Sequence, residues 1–232
     1  MLKFGGTSLA SPKDITNVAK TIASFSKGNE IVVVCSAVDG VTDTLILIST
    51  MIEQKKKKEV ADALDGLVKK HKKLADQTIK NSVVKKQLLE KLNADVSELQ
   101  ELVRGLTLLK EVSARSLDYL ISFGERLSDD LVSFALQDLK KKSTALNGKE
   151  VGIVTDSNFG ESRPLMDTTR IRISKTLGSL LSKKVIPVVG GFAGADQHGN
   201  VTTFGRGGSD YTATIIASSI NADEVWLMSD VV

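Results

Sequence analysis

Cysteine is almost missing from this chain. Cys35 stands alone among 232 residues, so no internal disulfide framework exists, and a lone thiol fits a reducing compartment. Histidine is as scarce, at two residues, and a closed structural zinc site needs four ligands that His and Cys here do not supply. No apolar run approaches the ~18 residues that a membrane-spanning helix takes. The opening residues hold no basic stretch followed by an apolar run and small cleavage residues, so no signal peptide is expected and the cytoplasm is the default compartment. Proline is limited to three residues, and no Pro/Ser-rich linker divides the chain. Three familiar site motifs are also absent. Gly148-Lys149 lacks the upstream glycine and the following hydroxyl of a P-loop. In Gly205-Arg206-Gly207, Asp210 stands where a dinucleotide fingerprint needs its third glycine. Tyr211 breaks a nucleophile elbow around Ser209.

What is present is an ordinary globular composition, 41% apolar and 25% charged, with a net charge of +3. A chain of this length buries a full core and suits one large α/β domain. The basic excess is local. Residues 55–111 hold 14 Lys and Arg against 9 Asp and Glu and contain no aromatic residue. Lys55 to Lys58 look like a nucleic-acid patch, but interspersed acids and missing stacking partners favour a solvated helix face. Within that segment Leu92, Val96, Leu99, Val103 and Leu106 alternate steps of four and three residues, the seam of a helix packed on another helix. Leu64, Leu67, Val68 and Leu74 supply the partner, which predicts a helical hairpin inserted at about 55–110.

Elsewhere short β-branched runs alternate with amphipathic helices. Strands are expected at 31–35, 185–189 and 224–228, with weaker signals at Leu2 to Phe4 and at 151–154. Ser11-Pro12 opens a helix carrying Ile15, Val18, Ala19, Ile22 and Phe25, closed by Gly28. Ser209 opens another that runs to about Asn221. This alternation predicts a mostly parallel open sheet covered on both faces, a three-layer α/β/α sandwich.

Two glycine clusters carry the chemistry. Lys3-Phe4-Gly5-Gly6-Thr7-Ser8 follows the first strand; bare glycines let backbone N–H groups approach an anion, and Lys3 adds a point charge. Gly205-Arg206-Gly207-Gly208-Ser209-Asp210 leads into a helix N-terminus, which favours anions, and Arg206 grips carboxylate or phosphate bidentately. Gly190-Gly191 and Gly194 form a third turn. Each feature has a plainer reading: the double glycine as a tight turn, Asp210 as a helix cap, Arg206 as a surface residue, Ser36 as a strand end, Glu125 as an ion pair with Arg126. Ligands of open parallel sheets bind beyond the strand C-termini, where such turns converge.

Four motifs taken in order resemble the aspartate kinases over nearly the whole chain: Lys3 to Ser8; Ser36-Ala37 with Gly40-Val41-Thr42; Phe123-Gly124-Glu125-Arg126-Leu127-Ser128; and Gly205 to Asp210. The resemblance implies the amino-acid-kinase fold and transfer of the ATP γ-phosphate to the side-chain carboxylate of L-aspartate. It implies that Lys3 neutralises the transferring group, that Asp210 holds Lys3 and helps organise Mg2+–ATP, and that Gly5, Gly6 and Ser8 surround the phosphates, with Ser229 and Asp230 also at the nucleotide. Ser36, Thr42 and Ser209 would line the aspartate end, Arg206 would clamp a carboxylate, and Glu125 would receive the ammonium group. A homo-oligomer, a dimer, is implied, with no nucleic-acid or membrane partner. The family continues past Ser229-Asp230-Val231-Val232 into an ATP-site loop and ACT regulatory domains; neither lies within these residues, so weak nucleotide affinity and no amino-acid feedback are expected of residues 1–232 alone. Alternatives are a kinase for another small carboxylate amino acid, a non-catalytic subunit of this fold, and an RNA-binding module built on the basic hairpin.

Overall fold

A computed structural model describes residues 1–228; Ser229 and Asp230 lie outside the described residues. In chain order the elements are β1 (Leu2–Phe4), α1 (Pro12–Phe25), β2 (Val33–Cys35), α2 (Val41–Glu53), α3 (Lys57–Thr78), α4 (Ser82–Leu109), α5 (Ala114–Asp138), β3 (Ser143–Leu146), α6 (Gly148–Val151), β4 (Val154–Thr155), α7 (Met166–Leu181), β5 (Ile186–Gly190), β6 (Ala193–Asp196), β7 (Val201–Thr203), α8 (Gly208–Ile220) and β8 (Trp226–Met228).

Among the described residues the main sheet runs β3-β5-β2-β1-β8 with every neighbouring pair parallel. Side chains alternate across it as a strand requires. Leu2, Phe4, Val33, Cys35 and Val188 join the apolar cluster that holds α1 and α5, while Val32, Val34 and Val189 join the one that holds α7 and α8. The result is the three-layer α/β/α arrangement. Pro187 sits inside β5, one position before pairing with β2 begins at Val33 opposite Val188, so its missing N–H removes no ladder bond there. A smaller sheet, β4-β6-β7, extends one end.

Local chemistry fixes the element ends. Ser11 Oγ accepts the Asp14 N–H and Pro12 stands at the first helical position, which starts α1. The strand expected at 151–154 is corrected: Asn147 and Glu150 form a capping box that turns Gly148–Val151 into α6, Gly152 (φ +105°) ends it, and the strand shrinks to Val154–Thr155 in the smaller sheet. No helix among the described residues is long and apolar enough to cross a membrane.

α3 and α4 form a helical hairpin whose seam (Leu64, Leu67, Val68 and Leu74 against Leu92, Val96, Leu99 and Val103) is buried and continuous with the core around α1 and α5. His71 lies in this seam, 1% exposed, with Nδ1 2.9 Å from the Leu67 carbonyl. The carbonyl only accepts, so Nδ1 carries the proton, and Nε2 is a bare acceptor with no partner among the described residues. Burial pushes the imidazole down to about 4. The neutral ring is therefore the form that folds: its stability is intact above pH 6.5 and is lost as pH falls toward 4, by about 3 kcal/mol. Unfolding free energies from urea titrations at pH 7 and pH 4.5 are expected to differ less in His71→Leu than in the parent, by about 2.5 kcal/mol; equal differences would contradict this.

Candidate active site

Because the five main strands are parallel, their C-terminal ends share one edge, and Phe4, Cys35 and Gly190 are in register there. The turns that follow are stitched together by backbone bonds. Ser36 N–H donates to Phe4 O (3.0 Å), Asp39 N–H to Gly6 O (3.2 Å) and Gly191 N–H to Cys35 O (2.9 Å). Only glycine fits at two of these crossings. A Cβ on Gly6 would lie 2.7 Å from Ala37 O, and one on Gly191 would lie 2.8 Å from Ser209 Cβ. The Gly5-Gly6 turn, the Ser36 turn, the Gly190-Gly191 turn and the start of α8 thus meet at one rim.

Lys3 reaches that rim from the strand beside it. Its neighbours Leu2 and Phe4 face α1 and α5, so Lys3 faces the α8 layer. Its Nζ lies 2.7 Å from Asp210 Oδ1 in the first turn of α8 and close to Gly5. The Lys3 side chain is 13% exposed and that of Asp210 52%, so the ammonium group is held while one edge of the pair stays open to solvent. Ser8 follows in a short 3-10 turn, Thr7–Leu9, half-buried.

Glu125 comes from α5, beneath the same rim. It is 5% exposed; Oε1 accepts the Ala37 N–H at 3.2 Å, and among the described residues Oε2 has no partner. Burial pushes its carboxyl up to about 8, against the pull of the Ala37 N–H. The ion pair that sequence proximity offered to Arg126 does not form. Arg126 bonds Asp95 (2.6 Å) and Glu98 (2.7 Å) on α4 and stacks on Phe123, 4.4 Å from the ring centre. Asp129, one turn further along α5, packs under Gly190 with Glu125; burial, then the neighbouring Asp130, raise its carboxyl well above the usual range. A cleft of about 780 Å³ opens against Glu125, Gly190 and Gly191 and extends past Tyr119 to Arg115 and Lys149; Lys3 and Asp210 are not in its lining.

The remaining residues singled out in the sequence divide by exposure. Ser36 and Thr42 are half-buried on either side of Ala37 and Gly40, and Ser128 Oγ donates to the Ser36 carbonyl at 2.7 Å. Ser209 is buried at the start of α8, and Arg206 is exposed in the turn before it. Lys3, Gly5, Gly6, Ser36, Glu125, Ser209 and Asp210 are therefore brought to one end of the sheet, with Arg206 on the loop that carries Asp210. Sequence reading gave no role to Ala37, whose N–H holds Glu125, and passed over Asp129, whose only signal was its spacing of four from Glu125. Among the described residues no group of three or more His, Cys, Asp or Glu side chains is arranged to hold a metal ion. Asp210 offers one carboxylate at the glycine turn, which fits a divalent ion carried in on nucleotide phosphates rather than caged by protein.

Known proteins resemble this chain along its whole length. The model of the amino acid kinase family matches residues 1–232. Aspartokinase 3, chloroplastic, of Arabidopsis thaliana is 32% identical over 100% of this chain and 40% of its own length. The chain spans about 40% of the length of the curated relatives it matches. Crystal structures of E. coli aspartokinase III superpose with a TM-score of 0.89 in the complex with lysine and aspartate (26% identity) and 0.88 in the complex with aspartate and ADP (25% identity), each covering 99% of this chain and about half of that one.

Proposed function

This chain belongs to the amino acid kinase family, and on that premise we propose that it carries the phosphotransferase site of an aspartate kinase, moving the γ-phosphate of ATP to the side-chain carboxylate of L-aspartate. The observation that carries the reading is the 2.7 Å pair between Lys3 and Asp210, which joins the first strand to the start of α8 over a glycine turn. The aspartate and ADP bound by the aspartokinase III structures support the choice of substrates.

The chemistry needs no general base. An aspartate side chain has an ordinary pKa of ~3.9 and is already a nucleophile at neutral pH, so catalysis reduces to positioning and charge stabilisation. In this reading the N–H groups of Gly5, Gly6 and Ser8 surround the phosphates, and Lys3 neutralises charge on the transferring group. Asp210 fixes Lys3 and would help hold Mg2+ carried in on the nucleotide, which when bound would supply further charge neutralisation at the phosphates. Glu125 takes the substrate ammonium on its unpartnered oxygen. Arg206 closes over a carboxylate, and the hydroxyls of Ser36, Thr42 and Ser209 hydrogen-bond the acceptor end. A homodimer working in the cytoplasm belongs to the same proposal. The test is ADP release by the complete protein carrying these residues. Turnover is expected with free aspartate and not with glutamate or N-acetylglutamate; equal rates with all three, or none with aspartate, would overturn the reading.

A further inference from the structure

Asp118, in the second turn of α5, is 1% exposed and fully engaged. Its Oδ2 accepts the Gly160 N–H and the Thr203 N–H, both at 2.9 Å, and its Oδ1 accepts the Thr203 hydroxyl at 2.7 Å. These partners lie 42 and 85 residues away in the chain. A carboxylate satisfied by three donors from two remote segments is a tether, because each donor would otherwise be left buried without water.

Both tethered segments lead to Arg206. Thr203 ends β7, three residues before it, and its carbonyl accepts the N–H and the hydroxyl of Ser162, each at 2.9 Å. Gly160 belongs to the loop 156–163, which folds on itself: Asp156 Oδ1 accepts the N–H groups of Asn158 and Arg163, and Asn158 Nδ2 donates to Glu161 O. The carbonyl of Gly160 abuts Gly205, where a Cβ would lie 3.2 Å away and where φ is +73°. One carboxylate thus fixes both the strand that enters the Arg206 turn and the loop on which that turn rests, while the Arg206 side chain itself is exposed.

We propose that Asp118 is a positioning residue that sets the height of the Gly205-Arg206-Gly207 turn over the acceptor, acting through Thr203 and Gly160. The proposal rests on the reading of Arg206 as the clamp for a substrate carboxylate. A side chain in solvent holds a substrate well only when its backbone is placed in advance, since ordering the turn on binding would weaken affinity. Losing the tether therefore raises the aspartate KM and leaves nucleotide binding and kcat largely alone.

The experiment is a cycle in the complete protein. Asp118→Ala is expected to raise the aspartate KM about tenfold, with kcat and the ATP KM within about threefold of the parent. Asp118→Asn, which still accepts both N–H groups and can donate to the Thr203 hydroxyl, is expected to restore the parent KM to within about threefold. In an Arg206→Ala background, Asp118→Ala should add less than about twofold, because its effect passes through the missing side chain. Should Asp118→Ala fail to fold, Thr203→Val and Thr203→Ser give the same comparison, the first raising the KM and the second keeping it. An unchanged KM, a parallel fall in kcat and both substrate affinities, or a full effect in the Arg206→Ala background overturns the tether. If Arg206→Ala itself leaves the aspartate KM unchanged, the clamp reading falls and takes the tether with it; a raised KM there alone leaves the clamp standing.

Discussion

Replacing Lys3 with methionine is expected to lower kcat by about 10³ while the protein stays folded. The ammonium group stands over the glycine turn where charge must be neutralised, and removing one such preorganised group costs roughly 10²–10³ in rate or more. Stability should change by less than about 1 kcal/mol. Methionine keeps the unbranched stem packed under α8, and Asp210, whose side chain is 52% exposed, returns to water when its partner leaves. The same substitution at a fully buried pair would strand a charge and unfold the protein; here one partner is open. The check is kcat by ADP release beside a thermal melt. A kcat within tenfold of the parent, with the melt unchanged, would remove Lys3 from the transferring phosphoryl group.

Replacing Glu125 with glutamine is expected to weaken aspartate binding by about a hundredfold, since truncating one side of a buried charge pair costs about 2–5 kcal/mol. It should also change the response to pH. Burial lifts the Glu125 carboxyl to about 8, so the ligand-free protein holds a proton there at neutral pH. An incoming ammonium group needs the ionised form, and the proton must leave when aspartate binds. The aspartate Kd should therefore fall as pH rises from 6 and level off above about 8. Stability runs the opposite way. A carboxyl raised above its ordinary value costs nothing below pH 4.5, a growing amount between 4.5 and 8, and a constant amount above, about 5 kcal/mol in all. Glu125→Gln has no proton to lose, so its loss of stability between pH 5 and pH 9 should be smaller than the parent's by that order. Asp129 and Asp130 titrate in both proteins, so the difference isolates Glu125. Calorimetric Kd values flat from pH 6 to pH 8 in the parent would contradict this role.

Much of this was legible because backbone chemistry is local. Ser11-Pro12 marked the start of α1 to the residue, while Gly28 stands three residues past its end at Phe25; the glycines after β1 and before α8 marked the rim, since a Cβ on Gly6 would lie 2.7 Å from the Ala37 carbonyl and Gly205 and Gly207 take positive φ. Strand edges were less legible. Val151 is as β-branched as Ile153 and Val154, but a capping box formed by Asn147 and Glu150 outweighs that preference. The smaller sheet was hidden because Ala193, Gly194 and Ala195 are small residues whose burial comes from what packs on them, not from their own hydrophobicity. α5 was hidden for the opposite reason: Asp118, Glu125, Asp129 and Asp130 put acids on its buried faces, so apolar periodicity fails along it. Ser229 and Asp230, assigned to the nucleotide from the resemblance, lie outside the described residues.

On the proposed reading these turns place the γ-phosphate of ATP against the side-chain carboxylate of aspartate. The complete protein, given ATP and aspartate labelled with carbon-13 in that carboxyl, can be run with hydroxylamine, which traps an acyl phosphate as a hydroxamate. The account predicts hydroxamate at the labelled carbon in amounts equal to the ADP released. ADP without hydroxamate, or hydroxamate at the other carboxyl, would contradict it.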